Sequence, residues 1–346
     1  MGTSLLRALV LAGAQSRASA AARAIAFAKG EQDAAPVWSP NGKQIAFSSQ
    51  SSSGQWQVYT LDANGGGRRL VSKGTLNYVD VAWSPNGQQI GYSGLTDGQV
   101  ITSGHVYVVN ANGTGQNPLT SGSGWYDEFF GWSPDGSSLY FDRVTNGDDA
   151  IFTMNGSGSD LHELTPSSGD DDYWAAWSPD GDEIAFSRTN PDSPSAGGEI
   201  WVMNQDGSGQ RQLTANLDDN FGSAWAPDGK QIAFMSNKSG RYQIYLVSPS
   251  GGPLQQLTTA GGAAEPKWSP NGKEIAYEGL IDGNYQIFVM QANGSGKQQL
   301  TSGTYSSNTD PAWSPNGNQI AFLSTRDGGT DIYVMNADGS AQTRLT

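Results

Sequence analysis

The sequence predicts an all-β fold, a seven-bladed β-propeller with four antiparallel strands per blade. Three observations predict it. The phrase Trp-Ser-Pro-Asn/Asp-Gly stands at Trp38, Trp83, Trp132, Trp177, Trp268 and Trp313, with Trp-Ala-Pro-Asp-Gly at Trp225, at spacings of 45, 49, 45, 48, 43 and 45 residues. Each interval holds the same order of short apolar segments. Gly-rich turn signals separate those segments. Four short strands per repeat of this length is the pattern of a propeller blade. A blade sheet is apolar on both faces and is buried only by neighbouring blades.

The repeat beginning at Ala175 shows the grammar. Ala175-Ala176-Trp177-Ser178 reads as a first strand. Pro179-Asp180-Gly181 ends it, because proline lacks an N–H and Asp-Gly suits a tight turn with positive φ. Glu183–Ser187 is the second strand and Glu199–Asn204 the third, apolar and β-branched as strands prefer. Asp206-Gly207-Ser208-Gly209 turns the chain into a short polar fourth strand, Arg211–Thr214. Polarity suits an outer edge that must not pair with other molecules. The other copies follow, with blades at about 36–71, 81–120, 130–165, 175–214, 223–258, 266–301 and 311–346. The units run on without a linker, so residues 23–346 read as one domain. Residues 23–28 fall where a fourth strand would stand before Trp38, which predicts a ring-closing strand there, although Thr343–Thr346 also reads as that strand.

The phrase tryptophans Trp38, Trp83, Trp132, Trp177, Trp225, Trp268 and Trp313 read as inter-blade packing. Burying an indole hides about 150–250 Å², roughly 4–6 kcal/mol as an upper bound. Near-uniformity across seven copies makes them structural.

Composition narrows the function. The formal net charge is −14, with no Lys/Arg cluster, which disfavours nucleic acid and anionic membrane surfaces as partners. There is no cysteine, so disulfides and thiolate chemistry are excluded. Residues 1–22 hold Arg7, a short apolar run and Ala18-Ser19-Ala20, loosely like a secretory signal. A periplasmic or secreted location follows if this segment is a signal, and a cytoplasmic one if it is a helix or a boundary segment.

With Ile320-Ala321-Phe322, Ile332-Tyr333-Val334-Met335-Asn336-Ala337-Asp338-Gly339-Ser340 and a final Leu345-Thr346, the repeat resembles the TolB-type, WD-repeat-like β-propeller family over about residues 36–346. TolB itself differs, with six blades and a separate N-terminal α/β domain, so its role in a cell-envelope complex is not carried over. The resemblance implies a rigid disc that binds a partner on one face or in its channel, often outside the cytoplasm.

A search for chemistry finds two histidines, His105 and His162, in different blades at positions that read as exposed. A shared metal or a Ser-His-Asp triad is not indicated. This also weighs against the seven-bladed oligogalacturonate lyases, which resemble this family and use a His-rich metal site. The copies differ most in the connections before blades three to five. These carry Trp125, Tyr126, Asp127 and Glu128; Asp171, Asp172, Tyr173 and Trp174; and Asp218, Asp219 and Phe221. Because the blades are adjacent, these residues are expected to form one aromatic, acidic patch. It suits a basic or aromatic peptide or protein, or a glycan. Asp80, Glu265 and Asp310, each three residues before its Trp, are candidate oxygen ligands for calcium or another divalent cation at the channel mouth. The bland alternative is that the aromatics pack between blades and the acids form a solvated rim. The expectation is a non-catalytic binding or scaffold propeller, not an enzyme and without a cofactor. The alternatives are a carbohydrate-binding or carbohydrate-active propeller of lyase or hydrolase type, and a structural module of a surface assembly.

Overall fold

The computed structural model describes residues 32–96, 103–145, 148–166, 169–190, 197–215 and 218–346. The leader over 1–22 and the strand expected over 23–28 lie outside the described residues. The regular structure of the described residues is entirely β, in consecutive runs of four antiparallel strands. Five runs are separate four-stranded sheets. Two others join into one eight-stranded sheet through a single parallel pairing, Gly104 with Tyr126.

The chain divides into two compact units. The first contains the described part of Met1–Asp171, with Gly329–Asp331 and Leu345–Thr346. It holds run one (Gln32–Trp38, Gln44–Gln50, Trp56–Asp62, Arg69–Leu70), run two (Asn77–Trp83, Gln89–Leu95, Gly104–Asn110, Asn117–Pro118) and run three (Trp125–Trp132, Ser138–Thr145, Asp148–Asn155, His162–Glu163). Within it Asp33 N donates to Thr330 O at 2.7 Å. The second unit contains Asp172–Gly328 and Ile332–Arg344. It holds run four (Asp171–Trp177, less Asp171, then Glu183–Thr189, Glu199–Asn204, Arg211–Gln212) and run five (Asn220–Trp225, Ile232–Ser236, Gln243–Val247, Gln255–Gln256). Run six (Ala263–Trp268, Glu274–Ile281, Asn284–Gln291, Gln298–Gln299) and run seven (Asn308–Trp313, Gln319–Ser324, Asp331–Asn336, less Asp331, and Thr343–Arg344) complete it.

Three local devices explain the repeat. The first is the turn that follows each phrase tryptophan. In run one Gly42 N donates to Ser39 O at 2.8 Å, and Asn41 Oδ1 accepts from Ser39 Oγ and Lys43 N, both at 2.9 Å. Ser39 Oγ in turn accepts from Gln44 N at 3.0 Å. Gly42 has φ 68°, which an L side chain adopts only with strain. The second device is the hydroxyl residue just beyond the fourth strand, following Val71 in run one and a leucine in the other runs. Ser72 and Thr120 in the first unit, and Thr214, Thr258 and Thr301 in the second, accept the N–H of Val58, Val106, Ile200, Ile244 and Ile287 at 2.9–3.0 Å. A backbone donor of the third strand, beyond the reach of the two-residue fourth strand, is thereby satisfied inside the protein.

The third device is a bulge in the first strand. Its register shifts three residues before the tryptophan, where Ala35, Asp80, Trp174, Glu265 and Asp310 all have φ between 49° and 57°. The bulge breaks the alternation of apolar residues. Each first strand accordingly begins earlier than the phrase alone suggests, at Gln32, Asn77, Trp125, Asp171, Asn220, Ala263 and Asn308. Trp125–Glu128, Asp171–Trp174 and Phe221 are therefore strand, not connection, whereas Asp218 and Asp219 stand just before theirs.

The cores lie between successive sheets. In the first unit one cluster joins Ala46 and Val58 of run one to Tyr92 and Val109 of run two. In the second, Ile200 and Val202 of run four pack with Ile232 and Phe234 of run five. The tryptophans add hydrogen bonds to this packing. Trp83 and Trp132 Nε1 donate to Val37 O (3.3 Å) and Ala82 O (3.4 Å). Trp225, Trp268 and Trp313 donate to Ala176 O, Ala224 O and Lys267 O at 3.0–3.1 Å. Each indole thus ties its run to the first strand of the run before it.

Candidate functional site

In the first unit the expected acids have unlike environments. Asp127 is fully buried and takes a two-pronged bond from Arg143, Nε to Oδ1 at 2.6 Å and Nη2 to Oδ2 at 3.0 Å. The two residues face each other across paired strands. The Arg143 guanidinium stacks on Trp125 (5.1 Å) and Phe152 (4.9 Å). Tyr126 belongs to the core with Val144 and Leu95. Trp125 is half-buried, and its Nε1 meets no acceptor among the described residues. Asp171 is half-buried and Oδ1 accepts from Asp149 N at 3.3 Å.

Asp80 differs. It sits at the left-handed bulge of its strand, half-buried, and receives a hydrogen bond from Ser93. Ser93 Oγ also accepts from Phe129 N at 2.8 Å, which fixes the neighbouring strand against it. No lysine or arginine among the described residues pairs with Asp80. Burial, and then the negative charge of Glu128, push its carboxyl up to about 8. Glu128 is half-buried on the adjacent first strand. The two carboxyls therefore repel each other, and Asp80 holds its proton near neutral pH.

In the second unit Asp172 repeats the arrangement of Asp127. It is buried, and Arg188 Nε and Nη2 donate to its two oxygens at 2.6 Å each. Arg188 stacks on Phe186 (5.2 Å) and Trp201 (4.8 Å). Tyr173, Trp174 and Phe221 form an aromatic cluster with ring centroids 5.4–6.0 Å apart, and Tyr242 joins Phe221 at 6.4 Å. Trp174 has φ 54°, strained for so large a residue. Asp219 Oδ2 accepts from Asn237 Nδ2 at 2.8 Å and from Tyr242 Oη at 3.4 Å, while Asp218 contributes its backbone carbonyl to Asn220 Nδ2.

These contacts correct two acids of the expected patch. Asp127 and Asp172 are neutralised by arginine, because a buried carboxylate needs a paired cation. The structure brings together Trp125–Glu128 in one unit and Tyr173, Trp174, Asp219 and Phe221 in the other. Of the candidate cation ligands, Glu265 lies 3.4 Å from Lys267 Nζ, while the backbone N of Asp310 donates to Glu278 Oε1 at 2.8 Å. Among the described residues no group of three or more His, Asp or Glu is placed to hold a metal ion. His162 is exposed as expected, but His105 is half-buried with Nδ1 enclosed. Sequence reasoning missed Ser93, Arg143 and Arg188, which look like ordinary strand residues. It also missed Tyr305, 95% exposed in a connection that reads as bland.

The sequence profile of the TolB beta propeller domain matches residues 175–279 and 261–346. No curated protein matches the sequence. Among solved structures, an oligogalacturonate lyase in complex with manganese superposes with a TM-score of 0.69 at 17% identity, over 86% of this chain and 87% of the other. A puromycin-hydrolyzing peptidase from Mycobacterium tuberculosis gives 0.75 at 17% identity, over 95% of this chain. The chain spans 55% of that peptidase. TolB from Acinetobacter baumannii gives 0.57 at 20% identity, over 87% of this chain and 78% of TolB. These likenesses establish a propeller fold. They also correct the expectation of a non-catalytic scaffold, since solved proteins that share this fold include a lyase and a hydrolysing peptidase. No helix among the described residues is long and apolar enough to cross a membrane.

Proposed function

Since the chain belongs to the TolB β-propeller repeat family, we propose that it is a seven-bladed, carbohydrate-active propeller whose chemistry rests on Asp80 and Glu128. Seven phrase copies and seven four-strand runs support the blade number. One observation carries the activity: Asp80 keeps its proton to about 8 while facing Glu128. Two carboxyls whose environments differ in this way supply a general acid and a general base at one pH. Asp80 is the acid, placed to protonate a departing glycosidic oxygen. Glu128 is the base, taking a proton from water in a hydrolase or from a sugar carbon in a lyase. Ser93 orients Asp80. The superposition with an oligogalacturonate lyase supports the same substrate class. An extracytoplasmic location, where polymeric sugars are met, accompanies the proposal.

The test is a panel of purified polysaccharides, polygalacturonate included. Reducing-end release reports cleavage, and ultraviolet absorbance reports an unsaturated product. Asp80→Asn and Glu128→Gln are each expected to lower turnover about 10²–10⁴-fold. A chain that cleaves nothing in the panel, or an Asp80→Asn variant of undiminished rate, overturns the proposal.

A further inference from the structure

The chain carries nine Asn-Gly pairs, at Asn41, Asn64, Asn86, Asn112, Asn146, Asn155, Asn271, Asn293 and Asn316. Asn-Gly is the dipeptide in which the following backbone nitrogen most readily attacks the asparagine side chain, because glycine presents no Cβ to hinder the approach. The attack needs a backbone N–H free to leave its hydrogen bond. Asn146 lies outside the described residues.

In seven of the other eight pairs the glycine N–H is held. Gly42, Gly87, Gly272 and Gly317 donate to Ser39, Ser84, Ser269 and Ser314 O at 2.8–2.9 Å. Gly65, Gly113 and Gly294 donate to Asp62, Asn110 and Gln291 O at 2.8 Å. Asn155 is different because its pair is displaced by two residues within the turn. Asn155 occupies the first turn position, and Gly158 N donates to its carbonyl at 2.9 Å. Gly156 therefore stands where other turns have Ala63, Ala111, Gln205, Ala292 and Ala337. Those five residues donate across the turn to Lys43, Gln88, Asp182, Lys273 and Asn318 O at 2.8–2.9 Å. Gly156 N makes no such bond among the described residues.

The side chain of Asn155 is also activated. Its Oδ1 accepts from Ser157 N (2.9 Å), Ser157 Oγ (2.6 Å) and Ser159 N (3.1 Å). Three donors on one carbonyl oxygen draw electron density from Cγ and stabilise the negative charge that develops when a nucleophile adds. Nδ2 donates to Ser159 Oγ (2.6 Å) and Asp160 Oδ2 (2.8 Å).

We propose that Asn155 is a self-modification site, losing its side-chain amide to the Gly156 nitrogen faster than the seven pairs whose glycine is held. The Gly156 nitrogen gives its proton to solvent base and bonds to Cγ. The Cγ–Nδ2 bond breaks and ammonia leaves, closing a succinimide. Water then opens either carbonyl, to give an aspartyl or an isoaspartyl residue. The product loses both Nδ2 donations and sets a new carboxylate against Asp160. Like charges at that spacing loosen the turn that carries the short strand His162–Glu163.

The test follows the full chain through a time course at mildly alkaline pH. Peptide mass spectrometry reads amide-to-acid conversion at each site, and isoaspartyl methyltransferase labelling reads the isomer. Freeing one backbone N–H is expected to place Asn155 up to about tenfold ahead of Asn41, Asn86 and Asn293. Gly156→Ala is expected to bring conversion at Asn155 down to the level of the others. That variant folds, since Gly156 has an ordinary φ and an added Cβ stands 3.8 Å from the Trp132 ring. In concentrated urea the sites are expected to converge. If Asn155 is no faster than the other sites in the folded chain, or keeps the same lead in urea, selection by the fold is overturned.

Discussion

Asp127 and Asp80 lie on neighbouring first strands of the same unit, and both are carboxyls withdrawn from water. Arg143 gives Asp127 two charge-assisted bonds, so it stays ionised and belongs to the frame. Asp80 has one hydroxyl and a neighbouring negative charge, so it holds a proton. Burial alone does not separate a structural acid from a chemical one. The partner does: arginine fixes the charge, whereas serine and a second carboxyl leave it to titrate.

The largest effect that tests this contrast is loss of one member of an arginine pair. Asp127→Ala leaves Arg143 uncompensated between Trp125 and Phe152. Its unfolding free energy in urea is expected to fall by about 3–5 kcal/mol. Asp172→Ala should do the same through Arg188. Asp80→Ala, with no buried cation to orphan, should cost far less than either. Equal losses at Asp80 and Asp127 would erase the distinction.

The next effect is pH dependence. The folded-state value for Asp80, about 8, lies above the value near 3.9 of an unfolded aspartate. Between those limits the folded chain binds more protons than the unfolded one, so this group's contribution is complete below about pH 4. It is lost as pH rises through about 8. Asp80→Asn should flatten stability against pH in that window. Catalysis by the protonated acid should fall through the same upper limb. Glu128→Gln removes a repelling charge and should move the stability midpoint to lower pH.

How much of this was legible in the sequence follows from the same residues. The turns were, because Ser39, Asn41 and Gly42 are adjacent and each has a local role. The third-strand cap was visible as Leu-Thr without its reason. The bulge was not, because Ala35, Asp80, Trp174, Glu265 and Asp310 share a backbone angle and no side-chain chemistry. The arginines were hidden for another reason. Arg68, Arg143, Arg188 and Arg326 all stack on the aromatic pair of their own sheet. Yet Arg68 precedes a fourth strand, Arg143 and Arg188 lie on second strands, and Arg326 follows one. Repeat alignment sees no common column, although the guanidinium fills the same kind of place. The acids Asp127 and Asp172 therefore looked like a free patch.

A smaller effect tests the indole bonds. Trp83→Phe keeps a buried ring but leaves Val37 O without its donor. A loss of about 1–2 kcal/mol is expected from the hydrogen bond and the lost area together. Trp177, whose run opens the second unit, offers a parallel substitution for comparison.

The smallest effect concerns the turn that made the repeat visible. Asn41 uses only its Oδ1, accepting from Ser39 Oγ and Lys43 N. Asp135 and Asp180 perform that task with a carboxylate in their own turns. This is why asparagine and aspartate exchange freely at the position. Asn41→Asp should leave stability at neutral pH within about 0.5 kcal/mol. It should add an acid dependence, however. The hydroxyls of Ser133 and Ser178 hold Asp135 and Asp180 below the usual carboxylate range, and Ser39 is placed to do the same. A depressed folded-state value means stability that is present above the unfolded value and lost as pH falls through the folded one. Urea midpoints of the variant and parent should therefore agree at neutral pH and separate in acid, the variant weakening first. Agreement throughout would mean that the serine bond does not distinguish the two side chains.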